Sequence, residues 1–225
     1  VNFAPFPHRG VLSSENAHRS MATMVEATAA NWVILSPSGI QSDPYSEEIN
    51  WNTNATPTDE ELCGAIRFAK QLAAGGVEAT VNCANGVWRA RISFLTTIAL
   101  RDPVGRWFAS YTAFQTHYAA LAEAEGCGLF LTGCEMTMTE HREAEWRALI
   151  AAVRQQYHGP VSYNCDKYGE DHVLGDAVDC IASSGYYPLK DWENQLDRIE
   201  AVSKKYKKPD PHSSEAGCMN SHRFF

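Results

Sequence analysis

Short apolar runs alternate along the chain with longer stretches in which apolar residues recur every three or four positions, the pattern of βα units repeated around a parallel sheet. The clearest helix runs from Thr58 to the Gly75-Gly76 pair. Thr58 and Glu61 stand at capping-box spacing, Leu62, Ala65, Ile66, Ala69 and Leu72 fall on one face, and the double glycine ends it. A second helix covers 138–157, with Trp146, Leu149, Ile150, Val153 and Tyr157 as its stripe, His158-Gly159-Pro160 as its stop, and Thr137 or Thr139 placed to cap it. Helices are also predicted near 14–29, 104–125 and 191–206. Strand candidates lie between them at 1–4, 32–35, 77–81, 129–132, 161–163, 178–182 and, with a poorer pattern, 212–214. These runs are short and mostly do not alternate, as expected of strands covered on both faces.

Some seven βα steps in 225 residues leave two architectures, an open doubly wound sheet or a (β/α)8 TIM barrel. The open sheet would carry a glycine-rich phosphate turn after its first strand. Here Pro5-Phe6-Pro7-His8-Arg9-Gly10 follows instead, and no G-x-x-x-x-G-K-[ST] occurs. The pattern therefore favours an α/β barrel, one domain over 1–225. Such a barrel takes about 250 residues. The chain ends ten residues after Glu215, so the final βα unit is expected to be lacking and two strand edges to stay unpaired.

Composition narrows the function. With 44% hydrophobic and 20% charged side chains the chain is too balanced for disorder, and no apolar run approaches the roughly 20 residues of a membrane helix. No membrane partner is expected. A net charge of −8 disfavours nucleic-acid binding, which needs clustered cations. The start, Val1-Asn2-Phe3-Ala4-Pro5, shows no charged segment followed by an apolar stretch as in a secretory signal. Seven cysteines without a C-x-x-C pair fit reduced thiols, as in the cytoplasm, better than a disulfide framework or a zinc site. The eight histidines are scattered, without H-E-x-x-H, so no metal or organic cofactor is expected.

In a barrel the chemistry sits at the C-terminal ends of the strands. Polar residues following the apolar runs there include Asn82, Trp88, Arg89 and Arg91 after the third, Glu135 after the fourth, Asn164 after the fifth, Tyr186 and Tyr187 after the sixth and Glu215 after the seventh. Carboxylates on strands four and seven can face each other across a barrel mouth. That is the arrangement for two-carboxylate glycoside hydrolysis, in which one group protonates the leaving oxygen and the other, kept ionised, attacks the anomeric carbon. Trp88, Tyr186, Tyr187, Asn82 and Asn164 supply what a sugar site uses, rings to stack on pyranose faces and fixed donors and acceptors to read hydroxyls. The simpler alternative for each glutamate is a charge at a helix N-terminus. For Glu215 that alternative is the stronger, because Asp210, Pro211 and His212 stand where a buried strand should be apolar.

The stretches 130–135 (FLTGCE), 141–147 (HREAEWR), 157–160 (YHGP) and 183–189 (SSGYYPL), with 9–12 (RGVL), 30–33 (ANWV), 88–92 (WRARI) and 107–111 (WFASY) upstream, resemble glycoside hydrolase family 113, β-mannanases of a large clan of retaining (β/α)8 hydrolases. The resemblance implies Glu135 as general acid/base, Glu215 as nucleophile, an oligosaccharide or polysaccharide substrate with β-mannosidic linkages, and no cofactor. It also implies that Tyr186 or Tyr187 hydrogen-bonds the nucleophile and that Trp88, Arg89 and Arg91 line the sugar-binding side. The clan usually places Asn directly before the acid/base to hold the sugar 2-hydroxyl; here Cys134 stands there, and Asn164 is the candidate substitute. The third strand looks short for the family. Two alternatives remain at this level, a carbohydrate-binding pseudoenzyme of the same fold and a clan relative acting on another β-glycan. A retaining enzyme predicts carboxyl groups roughly 5–5.5 Å apart.

Overall fold

The helix that the sequence predicts most clearly runs almost directly into a strand. In the computed structural model, which describes residues 1–4, 8–94, 102–171 and 174–209 and the backbone of 215–216, that helix is Asp59–Leu72. Its capping box is formed as expected: Thr58 accepts from the Glu61 amide while Glu61 accepts from the Thr58 amide. The Gly75-Gly76 pair does not end it. The chain leaves through Ala73 in extended conformation and both glycines lie inside a strand, where a Cβ on Gly76 would come within 2.6 Å of Ile34 Cδ1 and 3.0 Å of the Leu129 carbonyl. Glycine is required there by the close approach of neighbouring strands.

The elements run in the order β1 (Asn2–Phe3), α1 (Glu15–Thr28), β2 (Trp32–Leu35), β3 (Ser38–Gln41), α2 (Asp59–Leu72), β4 (Ala74–Glu78), β5 (Thr80–Cys83), α3 (Pro103–Ala124), β6 (Leu129–Cys134), α4 (Glu143–Arg154), β7 (Val161–Asp166), β8 (Ala182–Gly185), α5 (Trp192–Tyr206) and β9 (Glu215–Ala216). All sheet pairings are parallel and the main sheet runs β1-β2-β4-β6-β7-β8-β9, sequence order being spatial order. β3 pairs with β5 and the two prolong β2 and β4 past Pro37, which has no amide hydrogen to give the ladder, and past Ala79. The third barrel strand therefore extends over Ala74–Cys83, longer than 77–81. Seven strands of a (β/α)8-type barrel result, and among the described residues β9 and β1 do not pair.

Two further expectations are corrected. The sixth strand is Ala182–Gly185, not 178–182. The apolar residues Val178 and Ile181 pack into the core, while the ladder is made by Ala-Ser-Ser-Gly, small residues that read as a turn. The fourth helix starts at Glu143, and neither Thr137 nor Thr139 caps it: Thr137–Thr139 is a separate 3-10 turn, with the Thr139 hydroxyl donating to the Met136 carbonyl. The run 212–214 lies outside the described residues; pairing is seen just after it, at Glu215 and Ala216.

Helices cover the sheet through an aromatic layer. Trp107, Tyr111, Phe114 and Tyr118 of α3 are buried, Trp107 stacks on Tyr111 at 4.7 Å between centroids, and Trp146 of α4 meets both Tyr111 and, from β7, Tyr163. This layer lies directly behind the strand that carries Glu135.

Candidate active site

β6 gains one residue against β7: Leu131 pairs with Ser162 but Cys134 pairs with Asn164, so three residue steps on β6 oppose two on β7. Such a bulge re-aims the side chains beyond it. Gly133, inside the bulge, leaves room for the aromatic layer, since a Cβ there would lie 2.5 Å from the Tyr111 hydroxyl and 3.2 Å from both Trp146 and Tyr163. Glu135 follows with φ 52°, a left-handed conformation that a side chain bearing a Cβ rarely adopts. Ala29 and Lys207, also left-handed, are explained as helix C-caps. Glu135 terminates no helix.

Its surroundings are polar and ordered. Glu135 Oε2 accepts from Trp88 Nε1 at 2.8 Å, Arg89 Nη1 stands 3.8 Å away, and only 13% of the Glu135 side chain is exposed. Arg89 is the hub. Its Nε donates to the Val81 carbonyl, Nη2 to Asn82 Oδ1 and Nη1 to Cys134 Sγ at 3.2 Å. Burial works against its charge, yet Cys134, Glu135 and Glu78 together hold its pKa above the ordinary arginine value. Asn82 Nδ2 continues the chain to Ser38. Trp88 is 47% exposed and Arg91 is exposed, both at the rim.

Two expected cleft residues lie elsewhere. Asn164 is completely buried, with Nδ2 donating to Glu78 Oε1 at 2.8 Å and directed at Cys134 Sγ at 3.4 Å. It forms the floor beneath Cys134 and does not present its amide to the cleft. Tyr187 is also buried: its hydroxyl donates to Glu170 Oε1, which accepts from Ser183 as well, while Arg198 pairs with Glu170 Oε2 at 2.7 Å. Tyr186 is 48% exposed. Burial tends to raise the Glu170 pKa, but the Ser183 and Tyr187 hydroxyls and Arg198 hold it below the ordinary carboxylate value.

Glu215 pairs with Ser184, which pairs with Asp166; Cys134 pairs with Asn164, two residues before Asp166. The backbones of Glu135, just past the end of β6, and of Glu215, the first residue of β9, are thus one residue step apart in height, on strands separated by β7 and β8. The Glu215 side chain, and with it the expected 5–5.5 Å carboxyl separation, lies outside the described residues.

Sequence reasoning missed Glu78, Glu140, Tyr163 and Glu170. Glu78 had left a signal, a lone acid within an apolar strand; it is buried under the site, accepting from Asn2 at 2.9 Å and from Asn164. Tyr163 left none, because a tyrosine in a buried strand reads as core. Among the described residues no group of three His, Cys, Asp or Glu converges to hold a metal ion.

The sequence profile of Glycoside Hydrolase Family 113 matches residues 1–223. Two solved structures, both described as GH113 beta-1,4-mannanase and one of them a complex, are 43% and 44% identical to this chain. The alignments cover 99% and 96% of it and 72% and 71% of those chains, with TM-scores of 0.93 and 0.91. A third, the GH113 beta-mannanase AaManA from Alicyclobacillus acidocaldarius in complex with ManMIm, is 35% identical over 97% of this chain and 70% of its own, with a TM-score of 0.90. A comparison with curated proteins gives no match. A barrel whose fourth strand ends on an ordered, left-handed glutamate, matched over nearly its whole length by these structures, belongs to glycoside hydrolase family 113.

Proposed function

We propose that this protein hydrolyses β-1,4-mannan with retention of configuration, its single barrel domain using Glu135 as general acid/base and Glu215 as nucleophile. The observation that carries the reading is Glu135 itself: a carboxyl group just past the C-terminal end of β6, in left-handed backbone, with an indole N–H on one oxygen, within one residue step in height of the backbone of Glu215 three strands on. The β-1,4-mannanase description of the neighbours supports the substrate.

In the first step a Glu215 carboxylate oxygen forms a bond to the anomeric carbon, the glycosidic C–O bond breaks, and the proton of Glu135 passes to the departing oxygen. In the second, Glu135 takes a proton from water, the water oxygen bonds to the anomeric carbon, and the bond to Glu215 breaks. Trp88 and Tyr186 offer half-exposed rings to the sugar, Arg91 stands at the rim, and Arg89 with Asn82 fixes the wall beside Glu135. Asn164 acts from below through Cys134 and Glu78.

The test is product release from β-1,4-mannan and from glucan, xylan and galactan, with proton NMR of the first-formed anomer. Release from mannan as the β-anomer, reduced about 10²–10⁴-fold by Glu135→Gln and abolished by Glu215→Gln, is expected. Mannan binding without turnover would establish a carbohydrate-binding protein instead, and preference for another polymer would reassign the substrate.

A further inference from the structure

We propose that Tyr163, oriented by Glu140, is a positioning residue that fixes the backbone turn aiming Glu135, an inference that rests on Glu135 being the acid/base. Both amides flanking the Glu135 α-carbon are held by consecutive residues of β7, one by a main-chain carbonyl and the other by a side-chain hydroxyl. The Glu135 N–H donates to the Asn164 carbonyl at 2.8 Å, and the Met136 N–H donates to the Tyr163 hydroxyl at 2.8 Å. Asn164 turns its side chain inward to Glu78; Tyr163 turns its ring outward onto Trp146, 5.1 Å away between centroids. Pinning these two amides holds Glu135 in the left-handed region that its Cβ disfavours, so the direction of its carboxyl group is set by β7 and not by local preference.

The Tyr163 hydroxyl can serve this purpose only if its hydrogen points elsewhere. A hydroxyl donates once and accepts through its lone pairs. Glu140 Oε1 takes the hydrogen at 2.7 Å, which leaves a lone pair for Met136. Glu140 is delivered to this spot by the turn that begins at Met136: the Met136 carbonyl accepts from both the Thr139 amide and the Thr139 hydroxyl, folding Thr137–Thr139 back toward β7. The loop after the acid thus returns to lock the acid's own backbone. Tyr163 is 1% exposed and faces away from the barrel interior, so it acts on the substrate only through Glu135.

The signature of a mispositioned acid is dependence on the leaving group, since a phenol that departs without protonation needs no proton donor. The substrates are β-1,4-mannotetraose and the 4-nitrophenyl and 2,4-dinitrophenyl β-1,4-mannobiosides. Tyr163→Phe and Glu140→Ala are expected to lower kcat/KM on mannotetraose about ten- to a hundredfold and to spare kcat/KM for dinitrophenyl release, which reports the first step alone, to within about threefold. Glu140→Gln, whose amide oxygen still accepts the hydroxyl hydrogen, should recover most of the loss. Equal losses on all three substrates, or none, would overturn the proposal. Glu135→Gln is measured in parallel. If it lacks leaving-group dependence the acid/base reading itself falls, whereas if it shows that dependence and Tyr163→Phe does not, only the positioning role falls. Should Tyr163→Phe fail to fold, Glu140→Ala, at a half-buried site, decides.

Discussion

The indole N–H of Trp88 is bonded to Glu135 at 2.8 Å while the same side chain remains 47% exposed. One residue therefore touches the proposed acid with its edge and leaves much of its surface open at the barrel rim, where a sugar ring can stack. These two contributions are separable. Trp88→Phe keeps an aromatic face and removes the donor, so kcat should fall about tenfold, the worth of one hydrogen bond, with KM on mannotetraose changed less than about twofold. Trp88→Ala should lower kcat similarly and raise KM in addition, by about tenfold. Steady-state kinetics on the two variants checks this, and identical KM values would remove stacking from the account.

Arg89 makes three hydrogen bonds in different directions, to Val81, Asn82 and Cys134, besides standing 3.8 Å from Glu135. A lysine keeps the charge but has no planar fork to reach them together. Arg89→Lys should cost roughly 2–3 kcal/mol in urea unfolding and lower kcat more than it raises KM. A variant as stable as the parent would show that the wall beside Glu135 does not depend on the guanidinium.

Two carboxyl groups should give opposite pH signatures. Burial, reinforced by the charge of Asp166 and partly relieved by the Tyr163 hydrogen bond, pushes Glu140 above its ordinary value. The folded protein then holds that proton more tightly than the unfolded chain, so stability from this group is fullest below the unfolded pKa and falls as pH rises through the folded one. Glu170 is held below its ordinary value, so its contribution is present above the unfolded pKa and is lost as pH falls through the folded one. Urea midpoints from about pH 3 to pH 7 should show Glu140→Gln gaining on the parent as pH rises and Glu170→Gln losing on it. At neutral pH the Glu170→Gln loss should be roughly 1–3 kcal/mol, since Arg198 is left without its carboxylate partner but keeps some access to water. Parallel curves for either variant would contradict the assignment.

How much of the chain could be read depends on which signals are local. The α2 start was legible because the capping box is a four-residue pattern and forms as written. Glu135 was legible because an apolar run stops on it. β8 was misplaced because its ladder is built from Ala-Ser-Ser-Gly, whose burial depends on flanking strands that no local window contains. Asn164 was read as following the strand 161–163 but lies inside β7, and both it and Tyr187 were assigned to the cleft although they are buried. Which way such a side chain faces depends on partners distant in sequence, Glu78 for one and Glu170 for the other. Tyr163 and Glu140 matter through a single hydroxyl and a turn, and neither has a sequence pattern.

Two glycine-to-alanine changes should act with opposite signs, and the contrast tests whether the aromatic layer constrains the acid. Gly64 lies within α2, where an added Cβ would meet no atom within 4 Å, so Gly64→Ala should add roughly 0.5–1 kcal/mol through helix propensity and leave kinetics unchanged. Gly133 sits in the β6 bulge, where a Cβ would lie 2.5 Å from the Tyr111 hydroxyl, itself bonded to the Thr132 carbonyl, and 3.2 Å from Tyr163. Overpacking there should cost roughly 1–3 kcal/mol. It should also lower kcat, because Tyr163 cannot yield without moving the Met136 amide that it holds. Thermal or urea unfolding gives the first quantity and mannotetraose turnover the second. If Gly133→Ala proves destabilising but fully active, the aromatic layer supports the fold and the aim of Glu135 is independent of it.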